Sequence, residues 1–308
     1  MRIIDQAISQ TREYEKLLDC VHCGLCLSAC PTYNEIGVEM DSPRGRIYLI
    51  RSFVDGKIPL SEDFTDHLSL CLGCRACETA CPSGVHFGEI LEWSRSIVEE
   101  RLERSPLARL IRSLTFNRLL PSPRLLRLAA LGLRLYQISG LSTVLHSTRL
   151  LPPPLSRLDD LSPRIPPWSM RRPLDKVTPA VGSHHHRVGF LSGCIMSVAF
   201  GHINRATLHL LSRNRCEVVT PRGQTCCGAL HLHNGERAQA IELAKATIDA
   251  FECTGAEAVI TNSAGCGSTM KEYADLLHND PEYADRAAVF SRKVKDIAEY
   301  LIEIGFEK

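Results

Sequence analysis

The sequence predicts two folded domains of different class, a mainly α-helical domain at the N-terminus and an α/β domain with a parallel sheet at the C-terminus. Residues 1–100 carry two cysteine runs between helical-looking stretches and show no alternating strand pattern. From residue 187 to residue 308, short apolar segments alternate with helical ones, which is typical of a parallel sheet. Residues 101–186 contain no cysteine and are rich in Leu, Arg and Pro, so we expect a helical linker region there.

The overall composition is that of an ordinary globular protein. A length of 308 residues suits about two domains, and a net charge of +1 argues against a chain that binds nucleic acid through an overall basic surface. The N-terminal stretch MRIIDQAISQTREYEKLL is charged and lacks the apolar core of a secretory signal. Without such a signal, 14 cysteines are expected to serve as metal ligands more often than as disulfides. We therefore expect a cytoplasmic protein.

Two cysteine runs of identical spacing occur at residues 20–31 (CVHCGLCLSACP) and 71–82 (CLGCRACETACP). The spacing C-x2-C-x2-C-x3-C-P is that of bacterial ferredoxins, in which the fourth cysteine of each run ligates the neighbouring cluster. The proline after the fourth cysteine has a fixed φ and turns the chain away. The spacing therefore predicts two [4Fe–4S] clusters with crossed ligands, the first held by Cys20, Cys23, Cys26 and Cys81 and the second by Cys71, Cys74, Cys77 and Cys30.

Zinc is the alternative ligand for these cysteines. Zinc sites use four ligands, usually as two CxxC pairs with a clear gap, and two identical four-cysteine runs fit two cubane clusters better. His22 lies inside the first run and is interpreted as a neighbour that tunes the potential, not as a ligand. Between the runs, Arg44, Arg46 and Arg51 either offset the negative charge of the clusters or are exposed to solvent.

A second group of cysteines lies in the α/β domain. Cys194 occurs in SGC, Cys226 and Cys227 occur in QTCCGALHLHNG, and Cys266 occurs in NSAGCGS, and each set follows a predicted strand. The carboxyl ends of parallel strands converge on the ligand-binding edge of such a sheet. We therefore expect these four cysteines to meet in space and to ligate a metal.

The remaining candidates around this group have weaker patterns. His231 and His233 flank the CCG loop and either assist the site or are loop residues without that role. Cys216 and Cys253 have no partner motif and are predicted to be small buried hydrophobic side chains.

Taken together, these motifs resemble a known family. The C…CCG…C arrangement is similar to the CCG domain of heterodisulfide reductase-type proteins, and the long interval between the N-terminal runs resembles the α-helical ferredoxin domain of succinate dehydrogenase iron–sulfur subunits. With DSPRGRIYLI, FLSGCIMS and NSAGCGSTMKEYA, the order of domains resembles the iron–sulfur subunit of glycolate oxidase (glycolate dehydrogenase). That family usually has two CCG copies and this sequence covers one, so we expect either a fragment or a natural short form.

The resemblance implies an electron-transfer subunit without catalytic residues of its own. It implies a FAD-binding dehydrogenase subunit as partner, a quinone or membrane acceptor, and a third iron–sulfur cluster held by the CCG cysteines. No G-x-G-x-x-G motif follows a strand and no P-loop occurs, so no flavin or nicotinamide site is expected in this chain. The alternatives are the equivalent subunit of a lactate or glycerol-3-phosphate dehydrogenase, a heterodisulfide reductase-like enzyme, and a zinc-stabilised scaffold.

The region between the domains is strongly basic. Residues 101–172 contain 13 Arg, no Lys and three acidic residues. These helices either pack their leucines and expose their arginines to water, or form a basic surface that docks on an acidic partner or on anionic lipids at the cytoplasmic face of the inner membrane. Nucleic acid is not expected as a partner, because the region has few aromatic residues and no recognised motif.

Overall fold

The computed structural model describes residues 11–148, 150, 152–183 and 185–306. The first ten residues, on which the prediction of no secretory signal partly depends, lie outside this part of the chain. Two compact units are formed, the first by Met1–Arg104 with Leu230–Arg237 and the second by Ser105–Ala229 with Ala238–Lys308. None of the described helices combines the length and the apolar character that crossing a membrane requires.

The regular elements of the first unit are helices throughout its described residues 11–104. Helix ends follow local capping signals: Thr11 accepts a hydrogen bond from the backbone of Tyr14, and Ser42 accepts one from the backbone of Gly45. Pro43 follows Ser42 as the first helical residue, where its missing N–H costs nothing. The helices are α1 (Arg12–Leu18), α2 (Pro31–Ile36), α3 (Pro43–Val54), α4 (Glu62–Ser69), α5 (Ala76–Thr79) and α6 (Phe87–Arg101), with a 3-10 turn at Glu39–Asp41.

The core of the first unit lies between α3, α4 and α6. Ile50 of α3 and Ile90 of α6 are fully buried, and Phe53 stacks on Phe64 with ring centroids 4.8 Å apart. The two cysteine runs lie mostly in the loops and turns next to these helices, and Cys20, Cys71, Cys77 and Cys81 pack against the same apolar core.

The second unit begins with helices and continues with a sheet. A capping box at Asp296 and Glu299 starts its last helix. The first helices are α7 (Pro106–Ser113), a π-helical turn (Leu114–Leu119), α8 (Pro123–Ile138), α9 (Leu141–Ser147), α10 (Pro153–Leu161) and α11 (Trp168–Arg171). The later helices of this unit are α12 (Cys194–Ala199), α13 (Gly201–Arg213), α15 (Arg237–Glu252), α16 (Ala264–Lys271), α17 (Tyr273–Leu276), α18 (Ala284–Lys293) and α19 (Ile297–Glu303). Helix α14 (Ala229–His233), which lies between α13 and α15 in the chain, belongs to the first unit except for its first residue.

The sheet has the order β1-β3-β2-β4-β5, and its strands are β1 (Val177–Thr178), β2 (His186–Phe190), β3 (Cys216–Val219), β4 (Ala258–Thr261) and β5 (Val294–Asp296). The pairs β2–β3, β2–β4 and β4–β5 are parallel. The three strands predicted from sequence are β2, β3 and β4. The predicted parallel sheet is observed in part, because three strand pairs are parallel but β1 pairs with β3 in antiparallel fashion, which makes the sheet mixed. Neither β1 nor β5 is long enough to show a strand pattern in the sequence.

Strand order explains where a ligand site can form. The chain passes from β2 to β3 on one side and then returns to place β4 on the other side of β2. Such a reversal opens a crevice outside the carboxyl ends of the two strands that flank it, here β2 and β4. Both faces of the sheet are buried, with Phe190 and Leu211 in one apolar cluster and Val259 and Phe251 in the other.

Candidate metal centres

The backbone of the two N-terminal cysteine runs repeats as the sequence does. The third and fifth residues of each run have a positive φ: 55° at His22 and 85° at Gly24 in the first, and 63° at Gly73 and 59° at Arg75 in the second. Left-handed residues that alternate in this way turn successive N–H groups toward one side and form an anion-binding concavity, as at many iron–sulfur sites. The backbone of both runs therefore fits a negatively charged cluster.

The fourth cysteine of the first run lies with the second run. Cys30 is buried and lines one small cavity together with Cys71, Cys74 and Cys77. Its Sγ lies 3.2 Å from the hydroxyl of Thr32. Burial raises the pKa of Cys77 to about 12. This set of thiols is the one that the crossed assignment predicts for the second cluster.

The fourth cysteine of the second run lies near the first run. Burial is the largest cause of the raised pKa of Cys20, and the neighbouring Cys81 and Cys23 raise it further. Cys26 also has a raised pKa because of its burial, with Cys20 and Cys23 as neighbours. Cys81 is thus close enough to Cys20 to raise its pKa, although helices α2 to α5 separate the two cysteines in the chain.

Arg46 is fully buried and lines the cavity that contains Cys30. Its Nη1 donates to the hydroxyl of Thr32 at 3.1 Å, its Nε donates to the carbonyl oxygen of His67 at 2.7 Å, and its Nη2 lies 3.3 Å from the carboxylate of Asp41. The alternative of a solvent-exposed side chain is therefore wrong for Arg46. A buried cation at this position favours negative charge in the cavity.

Arg44 and Arg51 are partly exposed. The guanidinium of Arg44 makes two hydrogen bonds to Glu39 and donates to the carbonyl oxygen of His22 at 3.1 Å. A side chain at Gly24 would collide with it, since a Cβ there would lie 2.6 Å from Nη1 of Arg44. The positive φ at Gly24 favours glycine, and any larger residue there would also displace the end of the Arg44 side chain.

The four cysteines of the α/β domain meet at the crevice of the sheet. Cys194 follows β2 at the start of α12, Cys266 follows β4 within α16, and Cys226 and Cys227 lie in the loop after β3. The Sγ atoms of Cys194 and Cys226 are 3.6 Å apart. Hydrogen bonds to Cys226 and Cys266, together with burial, raise the pKa of Cys227. The prediction that these side chains converge is therefore confirmed by their positions.

Buried backbone contacts fix the CCG loop. Cys226 and Cys227 are almost fully buried, the backbone N of Gly228 lies 3.4 Å from Sγ of Cys226, and Gly228 has a φ of 85°. The hydroxyl of Tyr273 donates to the carbonyl oxygen of Cys227 at 2.6 Å. Within the described residues, His, Cys, Asp and Glu side chains form no ready-made site for a single metal ion. The donor chemistry of four thiols fits an iron–sulfur cluster.

The weaker candidates have mixed outcomes. Nδ1 of His233 lies 3.1 Å from the carboxylate of Glu92, so this side chain contacts a carboxylate and not a cysteine. Cys216 is fully buried, as predicted. Cys253 is exposed, so its prediction as a buried side chain is wrong. It lies just beyond the end of α15, where the helical period no longer directs it to the core.

Two residues that the sequence patterns do not assign to the cysteine sites also contact them. Arg95 of α6 donates to the carbonyl oxygen of Cys71, and Tyr273 of α17 donates to that of Cys227. Both act on backbone carbonyls over long sequence separations, and no spacing rule reveals such contacts.

Comparison with known proteins gives three profile matches in chain order. The 4Fe-4S dicluster domain matches residues 16–85, the linker region of the glycolate oxidase iron-sulfur subunit matches residues 107–162, and the cysteine-rich domain named CCG matches residues 188–271. No solved structure matches the chain.

Among curated proteins, the probable glycolate oxidase iron-sulfur subunit of Bacillus subtilis is 42% identical over 100% of this chain and 70% of its own length. The glycolate oxidase iron-sulfur subunit of Escherichia coli is 34% identical over 94% of this chain and 66% of its own length. Lactate utilization protein A of Geobacillus kaustophilus is 30% identical over 38% of this chain. With its dicluster, linker and CCG regions in the same order, this chain belongs to the glycolate oxidase iron–sulfur subunit family.

Proposed function

We propose that this chain is the electron-transfer subunit of a glycolate dehydrogenase. Glycolate is oxidised on a FAD-binding partner subunit, and the electrons pass through this chain to a quinone or another acceptor, with the complex on the cytoplasmic face of the inner membrane. The observation that carries the proposal is the cavity that Cys30 shares with Cys71, Cys74 and Cys77, because it pairs cysteines from two separate runs.

The residues assigned to the clusters follow from this geometry. Two [4Fe–4S] clusters would be held in the crossed arrangement, and they supply one-electron transfer when bound. The left-handed residues at His22, Gly24, Gly73 and Arg75 would provide backbone N–H groups for the clusters, and the buried Arg46 would provide a guanidinium near the second one. A third cluster is assigned to the CCG loop and its partners, Cys194, Cys226, Cys227 and Cys266.

Metal and sulfide analysis of the anaerobically purified chain tests the cluster assignment. We expect about eight iron atoms per chain for two clusters of four, and about 12 if the CCG cysteines hold a third cluster of the same type. EPR of the reduced protein should show interacting paramagnetic clusters. Bound zinc without a reducible EPR signal would contradict the proposal and favour the zinc-stabilised scaffold.

Lactate is the second candidate substrate of the partner, because relatives named Lactate utilization protein A match part of this chain. Glycolate is favoured because two relatives that match nearly the whole chain, at 42% and 34% identity, carry the glycolate oxidase name. Affinity capture of the tagged chain from its own host, followed by anaerobic addition of each acid, separates them. Bleaching of the captured flavin by glycolate and not by lactate is the expected result.

Membrane attachment is proposed from an apolar face on α7 and α8. On both α7 and α8, exposed leucine and isoleucine side chains recur every three or four residues. Each helix therefore has an apolar stripe that is exposed to solvent. Packed leucines were one alternative for this region, and these leucines are not packed. The apolar face consists of Leu107, Leu110 and Ile111 on α7, Leu114 at the start of the π-helical turn, and Leu128, Leu131, Leu135 and Ile138 on α8.

The positive charge around the apolar face favours an anionic lipid surface as its binding partner. Residues 101–172 have a large excess of arginine, and Arg109 and Arg118 are exposed on and beside α7. An apolar stripe flanked by cations is the pattern of a helix that lies in the interface of an anionic bilayer. We therefore propose that the apolar face of α7 and α8 binds the surface of an anionic membrane.

Co-sedimentation with lipid vesicles tests this surface. The purified chain should bind vesicles that contain phosphatidylglycerol, bind neutral phosphatidylcholine vesicles more weakly, and be released by high salt. The double variant Leu128→Ser/Leu135→Ser should lose binding, whereas Ile302→Ser, which removes an even more exposed apolar side chain from α19, should keep it. Equal binding by both variants would contradict this role.

A further inference from the structure

A cavity of about 630 Å³ lies beside the CCG cysteines, within the second unit. Its floor is formed by residues that follow β2 and β3, among them Gly193, Cys194 and Thr220, and its walls come from α8, α11 and the loop after β3. Cavities of this size accommodate small organic molecules, and the carboxyl ends of parallel strands are where such ligands bind.

The charge of the lining is entirely positive. Its residues include five arginines and no aspartate or glutamate, and none of the five forms an ion pair with a carboxylate of the described residues. Leu120, Leu126 and Leu174 supply apolar wall between the charges. The five arginines are Arg124, Arg127, Arg171, Arg172 and Arg222.

One of these arginines is buried. Arg171 has 5% of its surface exposed, donates from Nε to the carbonyl oxygen of Pro166 at 2.8 Å, and lies over the ring of Trp168. Burial and the nearby Arg134 lower the pKa of Arg171. A buried guanidinium among other guanidinium groups is costly unless an anion balances its charge.

A second and independent feature points to a ligand. Thr220 lines the cavity and has only 8% of its surface exposed. Its hydroxyl has no hydrogen-bond partner among the described residues. An unpaired buried hydroxyl destabilises a fold unless a ligand satisfies it. The cavity thus presents both unbalanced positive charge and an unused hydrogen-bonding group.

We propose that this cavity binds a small organic anion that carries carboxylate or phosphate groups. Guanidinium groups form paired, charge-assisted hydrogen bonds with either group, and the leucine wall accommodates an apolar portion of the ligand. Cys194 lies on the cavity wall, so the bound anion lies beside the CCG cysteines. The proposal does not depend on which hydroxy acid the partner subunit oxidises.

Isothermal titration calorimetry on the whole, cluster-loaded chain tests the proposal. The probes are citrate for carboxylates, pyrophosphate for phosphates and glycerol as a neutral control, all at constant ionic strength. We expect saturable 1:1 binding of citrate or pyrophosphate and none of glycerol. The absence of saturation with both anions would overturn the proposal.

Three variants locate the site. Arg222→Gln, on the exposed loop after β3, should weaken binding of the anion by about tenfold. Arg213→Gln, at the exposed end of α13 and outside the cavity, should leave binding unchanged. If both arginine variants weaken binding equally, the attraction is general electrostatics and no site exists.

Thr220→Val separates a ligand-binding role from a purely structural one. The substitution keeps the shape and removes the unpaired hydroxyl, so the ligand-free chain should melt at a higher temperature while its affinity for the anion falls. A structural role for the hydroxyl would instead lower the melting temperature, and unchanged affinity would remove Thr220 from the site.

Discussion

Nη2 of Arg95 donates a hydrogen bond to the carbonyl oxygen of Cys71 at 2.9 Å, and the same atom donates to the carbonyl oxygen of Leu68 at 2.9 Å. Nη1 of Arg95 donates to the carbonyl oxygen of His233 at 3.0 Å, so one guanidinium binds three backbone carbonyl groups on two separate segments of the first unit. Burial lowers the pKa of Arg95. A cation with three backbone acceptors cannot move away from the cysteine whose carbonyl it binds.

The first prediction concerns the potential of the cluster assigned to Cys71. Replacing Arg95 by Gln removes a fixed positive charge that favours the reduced cluster, so the midpoint potential should fall by roughly 50–100 mV, the effect of one charge at about 10 Å in an effective dielectric of about 20. A redox titration monitored by EPR measures this shift. Arg95→Lys should recover part of it, and Arg101→Gln, at the exposed end of the same helix, should have no effect. Equal potentials in Arg95→Gln and the unaltered protein would show that the contact is structural only.

The second prediction concerns crossed ligation. Cys30→Ser should damage the cluster held mainly by the second run, because Cys30 lines the cavity of Cys71, Cys74 and Cys77. Cys81→Ser should damage the other cluster, and each variant serves as the control for the other. EPR distinguishes the two clusters, and damage by Cys30→Ser confined to the cluster of its own run would refute the crossing.

The third prediction concerns the buried pair of Arg46 and Asp41. Their charged atoms lie 3.3 Å apart and both side chains are almost fully buried. Asp41→Asn leaves the guanidinium buried without a carboxylate and should lower the free energy of unfolding by about 3–5 kcal/mol. The exposed pair of Arg44 and Glu39 offers the matched control, since Glu39→Gln should cost less than about 1 kcal/mol. Denaturant unfolding measures both, and similar losses for the two variants would contradict the role of burial.

The fourth prediction concerns Cys216 and pH. Burial and the neighbouring Glu257 raise the pKa of Cys216 to about 11, above the value of a thiol in the unfolded chain. A raised pKa in the folded state contributes stability below the unfolded pKa, and this contribution is lost as pH rises. Stability should therefore decline between about pH 9 and 11, and Cys216→Ala should decline less.

Alkylation measures directly how accessible Cys216 is in comparison with Cys253. At pH 8, iodoacetamide should label the exposed Cys253 and leave the buried Cys216 unlabelled, as mass spectrometry of peptides from the folded protein can determine. Equal labelling of the two thiols would show that β3 opens readily.

Sequence patterns predict this molecule well where the relevant interactions are local. The spacing of each cysteine run fixes its backbone, and β2, β3 and β4 are long enough to show their apolar character. Arg46 and Arg95 could not be assigned in this way, because their contacts join residues that only tertiary packing brings together. The strands β1 and β5 depend on pairing with a neighbour and not on their own two or three residues.

The positions of the CCG cysteines in the chain also predict the order in which the cysteine sites form during folding. Each N-terminal run offers three thiols within a short stretch, which can gather around iron early in folding. Cys194, Cys226 and Cys266 instead follow three different strands, so they come together only after β2, β3 and β4 have paired. Contacts of such long sequence separation form late, because the chain must first close the loops between them. Synthesis that stops before β4 would therefore leave a chain that has both N-terminal cysteine runs but lacks Cys266 beside Cys194 and Cys226.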